Sequence, residues 1–429
     1  MVFRLTALVL ALVSGLVCVA HAELLIIAQT YRTGPYANNG IPSSDGFADY
    51  FTLLNERDGG IGGEKIVIEE CEFGYNTVKG VECYSNNRTR GGLVWTPLST
   101  GTTYGMIPLT REDGAPMLTM GYGRTSAADG AVFDNVFNFP ANYWQGAAAQ
   151  IRYIKEVTPS GLAGLKIGLV YHNSAYGKEP IPTLQALAAR EGFTLNLYAV
   201  DHPGDDQNAI WPAVKADAND WALLWGWGVM NPTALRTALK VGFPIDRVFG
   251  VWWSANESDV KRIGAKAKGY KAINFHAVGT SFSVYNALND YVYFAGKAAG
   301  LANNLGTSLY NRGLLAAMFA AEGIRNAQRI HNTAKITPQM MRDGLEAIDL
   351  SAEDLNGLGF EDYLPPVKAT CANHGGQGLV AVNEWDPQLR GWRQITDYYA
   401  PDMDLLGPMI RADADAFAAE NGVTRRACP

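Results

Sequence analysis

Side chains capable of covalent chemistry are present in this chain, but none stands in a pattern that would activate it. There is no G-x-S-x-G elbow, no P-loop, no H-E-x-x-H and no G-x-G-x-x-G between a strand and a helix. The one S-x-x-K match, Ser258 to Lys261, has no K-T-G or S-D-N partner and reads as a solvated helix start capped by Ser258. His172, His202, His276, His331 and His374 are scattered. Only His172 directly follows a strand pattern, where a structural or ligand-contacting role suits it better than that of a base. Cys71, Cys83, Cys371 and Cys428 lack the C-x2-C spacing and nearby histidine pair of a zinc site. The Asn87 and Asn256 sequons are short enough to arise by chance. No catalytic, metal or cofactor residue is assigned, which leaves non-covalent binding.

Groups suited to binding stand where apolar runs break. "TYRTGPYANNG" (30–40) follows "LLIIA", and Gly34 and Pro35 cannot continue a strand's ladder. The chain must turn there, leaving backbone donors and Tyr36, Asn38 and Asn39 off the strand's carboxyl end, where open α/β sheets hold ligands.

The elements that would position these groups alternate. Strand patterns "LLIIA" (24–28), "KIVIEE" (65–70), "KIGLVY" (166–171), "TLNLYAV" (194–200) and "WALLWGW" (221–227) are interleaved with helical patterns such as "SSDGFADYFTLLNERDG" and "IPTLQALAAREGF". That order predicts an α/β fold of parallel sheets flanked by helices. The irregular stretches "VFNFPANYWQG" and "AVGTSFSVYN" suit crossings between two lobes with a cleft between them. The expected division is 23–143 with 278–375 for lobe one, 144–277 with 376–400 for lobe two, and a C-terminal extension at 401–429. "LVAVNEW" and "GWRQITDY" flank Asp386-Pro387 as a hairpin.

With 429 residues, 48% of them hydrophobic, the chain exceeds one core of ordinary size. Arg4, the apolar run after it and Ala20-His21-Ala22 form an export signal, predicted to be cleaved after Ala22 and to lead to the periplasm. No later segment has the length and apolarity to span a bilayer. Loss of Arg4 takes the net charge from −7 to −8, a poor basis for binding nucleic acid. Four cysteines in an oxidising compartment favour two disulfides. One, Cys71 with Cys83, would join a strand end to the next helix; the other, Cys371 with Cys428, would fasten the tail.

"TGPYANNG" and "LNERDGGIGGEKIVIEECEFGYNTVKGVECYSN" resemble the N-terminal signature of periplasmic solute-binding proteins of the branched-chain amino acid type, which serve ABC importers. "LSTGTTYGMIPLTREDGAPMLTMGYGRTSAADG" looks like the family's first-lobe loops, and "KIGLVYHNSAYGKEPIPTLQALAAREG" its second-lobe opening. The resemblance runs from about residue 24 to 280, and more loosely to about 400. It implies a leucine-binding protein-like, type I periplasmic fold: two Rossmann-like lobes joined by a hinge, a Venus flytrap. Such a protein is a monomer without cofactor that delivers a small solute to an inner-membrane permease. A periplasmic sensor on the same fold and, at low prior, a secreted hydrolase using Ser99 or Ser258 are the alternatives.

In the family a carboxylate is held by a Ser/Thr turn, which matches Ser99, Thr100 and Thr102, and by a second turn, which matches Gly121, Tyr122, Gly123, Arg124 and Thr125. Arg124 would clamp a carboxylate or extend to solvent. Tyr176 comes from the second-lobe Tyr-Gly turn. Amino acid-binding members carry an acid where this sequence aligns Trp252, beside Trp253, with Glu257 several residues on. Trp225 and Trp227, alternating on a strand, would share a face. Together these indoles predict an aromatic-lined pocket for a flat aromatic acid, an apolar molecule or a cation, with core tryptophans as the plainer reading. A one-residue shift in alignment would give the acid role to Glu257 and restore an amino acid ligand.

Overall fold

The computed structural model describes residues 23–428; the expected export signal, 1–22, lies outside them. Five parallel strands form the first sheet: β1 (Leu24–Thr30), β2 (Ile66–Glu72), β3 (Trp95–Thr96), β4 (Met117–Leu118) and β5 (Val136–Phe137), in the order β2-β1-β3-β4-β5. Helices α1 (Ala37–Arg57), α2 (Thr77–Asn87) and α3 (Thr100–Asp113) connect them. The chain then passes through α4 (Tyr143–Glu156) into a second sheet. This contains β6 (Lys166–His172), β7 (Thr194–Val200), β8 (Trp221–Trp225), β9 (Val248–Gly250) and β10 (Lys271–Asn274), with helices α5 (Ala175–Lys178), α6 (Ile181–Glu191), α7 (Ile210–Ala216), α8 (Met230–Val241) and α9 (Glu257–Lys261).

From there α10 (Val284–Leu288), α11 (Ser308–His331) and α12 (Pro338–Glu346) return to the first lobe, where α11 lies along α1. That crossing is close because glycine faces backbone on both helices. A Cβ on Gly46 would stand 2.1 Å from the Tyr310 carbonyl, and one on Gly313 would stand 2.0 Å from the Ser43 carbonyl. A short antiparallel pair, β11 (Asp349–Leu350) with β12 (Val367–Lys368), brackets α13 (Ala352–Gly357). The hairpin β13 (Ala381–Asp386) and β14 (Gly391–Gln394) then joins the second sheet antiparallel, completing the order β14-β13-β10-β9-β8-β6-β7.

Central strands such as β8 are buried along their whole length, as parallel strands covered on both faces must be. Helix α14 (Met403–Asn421) packs back on the first lobe, with Phe417 4.6 Å from Phe133. Disulfides Cys71–Cys83, between β2 and α2, and Cys371–Cys428, at the tail, are both formed. No helix among the described residues is long and apolar enough to cross a membrane.

Three local expectations are corrected. Helix α1 starts at Ala37, six residues before the "SSDGF" pattern, so Asn38 and Asn39 lie in its first turn rather than in the preceding loop. Strand β8 ends at Trp225 because Gly226 turns away, its N–H donating to Ser254 Oγ and its carbonyl accepting from Tyr176. Trp225 and Trp227 therefore do not share a strand face. At α9 the first capping position is Asn256, and Ser258 lies inside the helix.

Candidate functional site

Between the two sheets lies a nearly closed cavity of about 10 Å3. Seven of its ten lining residues are aromatic: Tyr31, Tyr75 and Tyr122 from the first lobe, Tyr143 at the crossing, and Tyr176, Trp227 and Trp253 from the second. Leu98, Ser99 and Thr100 complete it. Two lining residues hold left-handed backbone without being glycine, Tyr75 (φ 61°) and Leu98 (φ 44°). Such conformations persist only where the surroundings over-determine them, and they cluster at ligand clamps. Leu98 is held by its N–H, which donates to the Tyr122 hydroxyl at 2.8 Å. The buried Trp227 indole faces Tyr31, the two rings meeting edge-on at 6.2 Å, and its N–H lies toward the Tyr31 hydroxyl.

The polar turns beside these rings are ordered by short local bonds. Ser99 starts α3, its Oγ accepting from Thr102 N at 3.3 Å. Thr100 Oγ1 accepts from Gly123 N and meets the Tyr143 hydroxyl, each at 3.2 Å. The Gly121 carbonyl accepts from both Trp252 Nε1 (2.8 Å) and Trp253 Nε1 (3.0 Å), joining the lobes across the cleft. Only glycine serves there: φ is 72° and a Cβ would stand 2.7 Å from the Phe275 ring.

A model described as a periplasmic binding protein matches residues 28–390. The chain belongs to this family. A crystal structure from the Pseudomonas fluorescens group, described as an ABC transporter permease, is 34% identical over 95% of this chain and 99% of its own, with a TM-score of 0.85. A branched-chain amino acid ABC transporter from Thermus thermophilus with bound valine is 18% identical over 89% of this chain and 98% of its own, with a TM-score of 0.77. An R. palustris solute-binding protein in complex with benzoate is 15% identical over 89% and 97%, with a TM-score of 0.68. The last two share the fold. Comparison with curated protein sequences finds no match. The architecture of this periplasmic binding protein is the leucine-binding protein-like, type I fold.

Of the residues expected at the site, Ser99, Thr100, Tyr122, Tyr176, Trp227 and Trp253 line the cavity of this periplasmic binding protein. The others surround it or leave it. The Tyr36 hydroxyl bonds His172 Nε2 (2.8 Å) and His202 Nδ1 (3.0 Å) of the second lobe. Asn39 donates to Asp259 at 3.2 Å, while Asn38 is exposed. Thr102 is buried with an unpartnered hydroxyl. Thr125 donates to Glu179 from both its N–H (3.3 Å) and its hydroxyl (2.7 Å). Trp225 points into the core and donates to Gln150 Oε1 at 3.0 Å. Trp252 also lies outside the lining, stacked on Tyr143 at 5.8 Å.

Arg124 and Glu257 do not take the roles considered for them. The Arg124 guanidinium donates to Asp413 on α14 at 2.6 Å and lies against Phe417, outside the lining. The carboxylate that meets it comes from its own chain, almost three hundred residues on. Glu257 accepts from Ser308 N at 2.9 and 3.1 Å, at the N-terminus of α11, and does not reach the cleft cavity. Tyr31, Tyr75 and Tyr143, which sequence reasoning missed, supply lining rings. Tyr31 stood inside the "TYRTGPYANNG" turn and Tyr143 inside the crossover, so position relative to strand ends was the available signal.

Three second-lobe carboxylates are buried against first-lobe or hinge donors. Burial pushes Glu179 up to about 7, against the lowering effect of hydrogen bonds from Tyr104 and Thr125. Burial likewise raises Glu257 to about 7 and Asp259 to about 6. His172 is pulled down to about 3, first by burial and then by neighbouring His202, so it is neutral and suits hydrogen bonding rather than charge. Among the described residues no group of three or more His, Cys, Asp or Glu could hold a metal ion.

Proposed function

We propose that this protein is the solute-binding component of an ABC importer, closing its lobes on a small apolar or aromatic organic solute and delivering it to an inner-membrane permease. The observation that carries the reading is the ring-lined cavity between the lobes, to which both lobes contribute aromatic side chains. Relatives described as ABC transporter proteins, one with benzoate and one with valine, support the class of role. The residue 1–22 signal would take the chain to the periplasm, where it would act as a monomer, without catalysis and without nucleic acid.

Closure is a hinge motion, biased toward the closed state only by contacts that need both lobes and the ligand. The rings supply such contacts from both sides. An α-amino acid fits less well: no carboxylate lines the cleft cavity among the described residues, and an ammonium closed in without one would cost several kcal/mol. A thermal-shift screen of the mature protein against amino acids, aromatic and aliphatic acids, amides, alcohols and amines tests the reading, because a ligand of the folded state raises Tm. An upward shift with an aromatic or apolar solute is expected. No shift with any class, together with unchanged small-angle scattering, would sink it.

A further inference from the structure

Behind Tyr122 and Trp253 lies a second, small chamber with a cavity volume of about 40 Å3, sharing Leu98, Tyr122 and Trp253 with the cleft. Its walls are mostly apolar, among them Phe47, Leu118 and Met120, yet one lining residue is Arg312, which is 1% exposed. The Arg312 guanidinium donates only to neutral groups: Nε to His276 Nε2 (3.2 Å), Nη1 to the Trp252 carbonyl (3.1 Å), and Nη2 to Asn274 Oδ1 (2.9 Å) and Ser308 Oγ (3.4 Å). A guanidinium has five N–H donors, so one on Nη1 has no acceptor.

No carboxylate among the described residues lies within ion-pair distance of it. Glu257 is its largest charged influence, but that carboxylate is turned to Ser308 N, and Glu70, which lines the chamber, is held by Arg32 at 2.7 Å. Burial lowers the guanidinium's pKa to about 9, which still leaves it charged at neutral pH. Two more lining side chains hold buried hydroxyls without partners, Thr30 and Ser44, and both can rotate to donate. A buried cation without a counter-ion beside unpaired hydroxyls in an apolar chamber is a site built for an anion with an apolar body.

We infer that this chamber is an annex of the cleft in which Arg312 binds the acid group of a small apolar carboxylate. This rests on the solute-receptor reading and narrows its substrate class. Trp253, whose ring lies 4.6 Å from the Arg312 guanidinium, separates the annex from the cleft and would move as the acid enters.

The test compares matched acids and primary amides by calorimetry on the mature protein: benzoate with benzamide, phenylacetate with phenylacetamide, hexanoate with hexanamide. The acid of at least one pair should bind roughly 30-fold tighter than its amide, since the amide leaves the charge unanswered. Arg312→Gln should erase that preference by weakening the acid far more than its matched amide, so that the two bind within about threefold of each other. The inference is overturned if amides bind as tightly as acids, if the preference survives Arg312→Gln, or if none of the acids binds. The acid-amide comparison needs only the wild-type protein and so stands even if Arg312→Gln does not fold. A solute shift from alcohols, amines or amino acids with none from acids would defeat the annex and spare the receptor. Silence from every class would defeat both.

Discussion

Arg124 meets Asp413 and the faces of Tyr104, Phe133 and Phe417 at a corner fastened by the C-terminal tail, whereas Arg312 meets four neutral acceptors in the interior, with Trp253 and Phe275 over its plane. The two are the same residue type within one lobe's reach of the cleft, and their partners separate them. Where the chain supplies its own carboxylate, the charge holds the fold together. Where it supplies only dipoles, the charge is left for something else to neutralise. The contrast extends to the surroundings. Arg425 with Asp129, Arg426 with Glu346, and the Cys371–Cys428 bond tie the Arg124 corner to the tail, while the Arg312 corner is packed by the indoles that bridge the lobes.

The largest expected effect lies at the interior corner. Trp252→Ala removes the stack on Tyr143 and the bond to Gly121, and should lower unfolding stability by about 3–5 kcal/mol in urea titrations. A loss under about 1 kcal/mol would mean that the interior corner does not hold the lobes closed.

Next comes the pH dependence of Glu179, buried beside the Arg124 corner against Tyr104 and Thr125. Its pKa is raised in the folded state, so its contribution to stability is fully present below the ordinary carboxylate range and is lost as pH rises through about 7. Because the depressed His172 works against Glu179, Glu257 and Asp259 below about pH 6.5, the test is a difference: the stability of wild type relative to Glu179→Gln should fall by roughly 3 kcal/mol between pH 5 and 8. An unchanged slope in Glu179→Gln would remove Glu179 from the account.

At the tail corner, Cys371→Ser opens a cross-link between residues 57 apart and should cost about 2–4 kcal/mol, with ligand affinity unaltered. Smallest of all, Arg124→Gln breaks a partly exposed ion pair and its contacts with three aromatic rings and should cost about 1–2 kcal/mol, again without changing affinity for acids. A large affinity loss in Arg124→Gln would erase the distinction between the corners and return the carboxylate role to Arg124.

Much of the fold was legible because its signals are local. "TLNLYAV" coincides with β7, and "LVAVNEW" with "GWRQITDY" flank the observed hairpin. The alternation of strand and helix names a parallel sheet, since consecutive parallel strands need a crossover. Site residues such as Ser99 and Tyr176 were reachable through the family resemblance, whose turns "LSTGTT" and "SAYG" carry them. Trp225 and Trp252 were not separable from Trp227 and Trp253 by composition or spacing, because the turn at Gly226 and the stacking of Tyr143 depend on residues far along the chain.

By itself the sequence indicated the alternation of strand and helix, from periodicity, and two disulfides, from an even cysteine count and the closeness of Cys71 to Cys83, while the resemblance to a known family supplied the two lobes and the turns at the cleft. Only the tertiary structure decided which arginine carries an unanswered charge. Whether a charge is paired depends on what packs beside it: Asp413 arrives from α14, almost three hundred residues after Arg124, and among the described residues no carboxylate comes within ion-pair distance of Arg312 on α11. Periodicity records which face of a helix is buried, but not which opposite charge, if any, is buried with it.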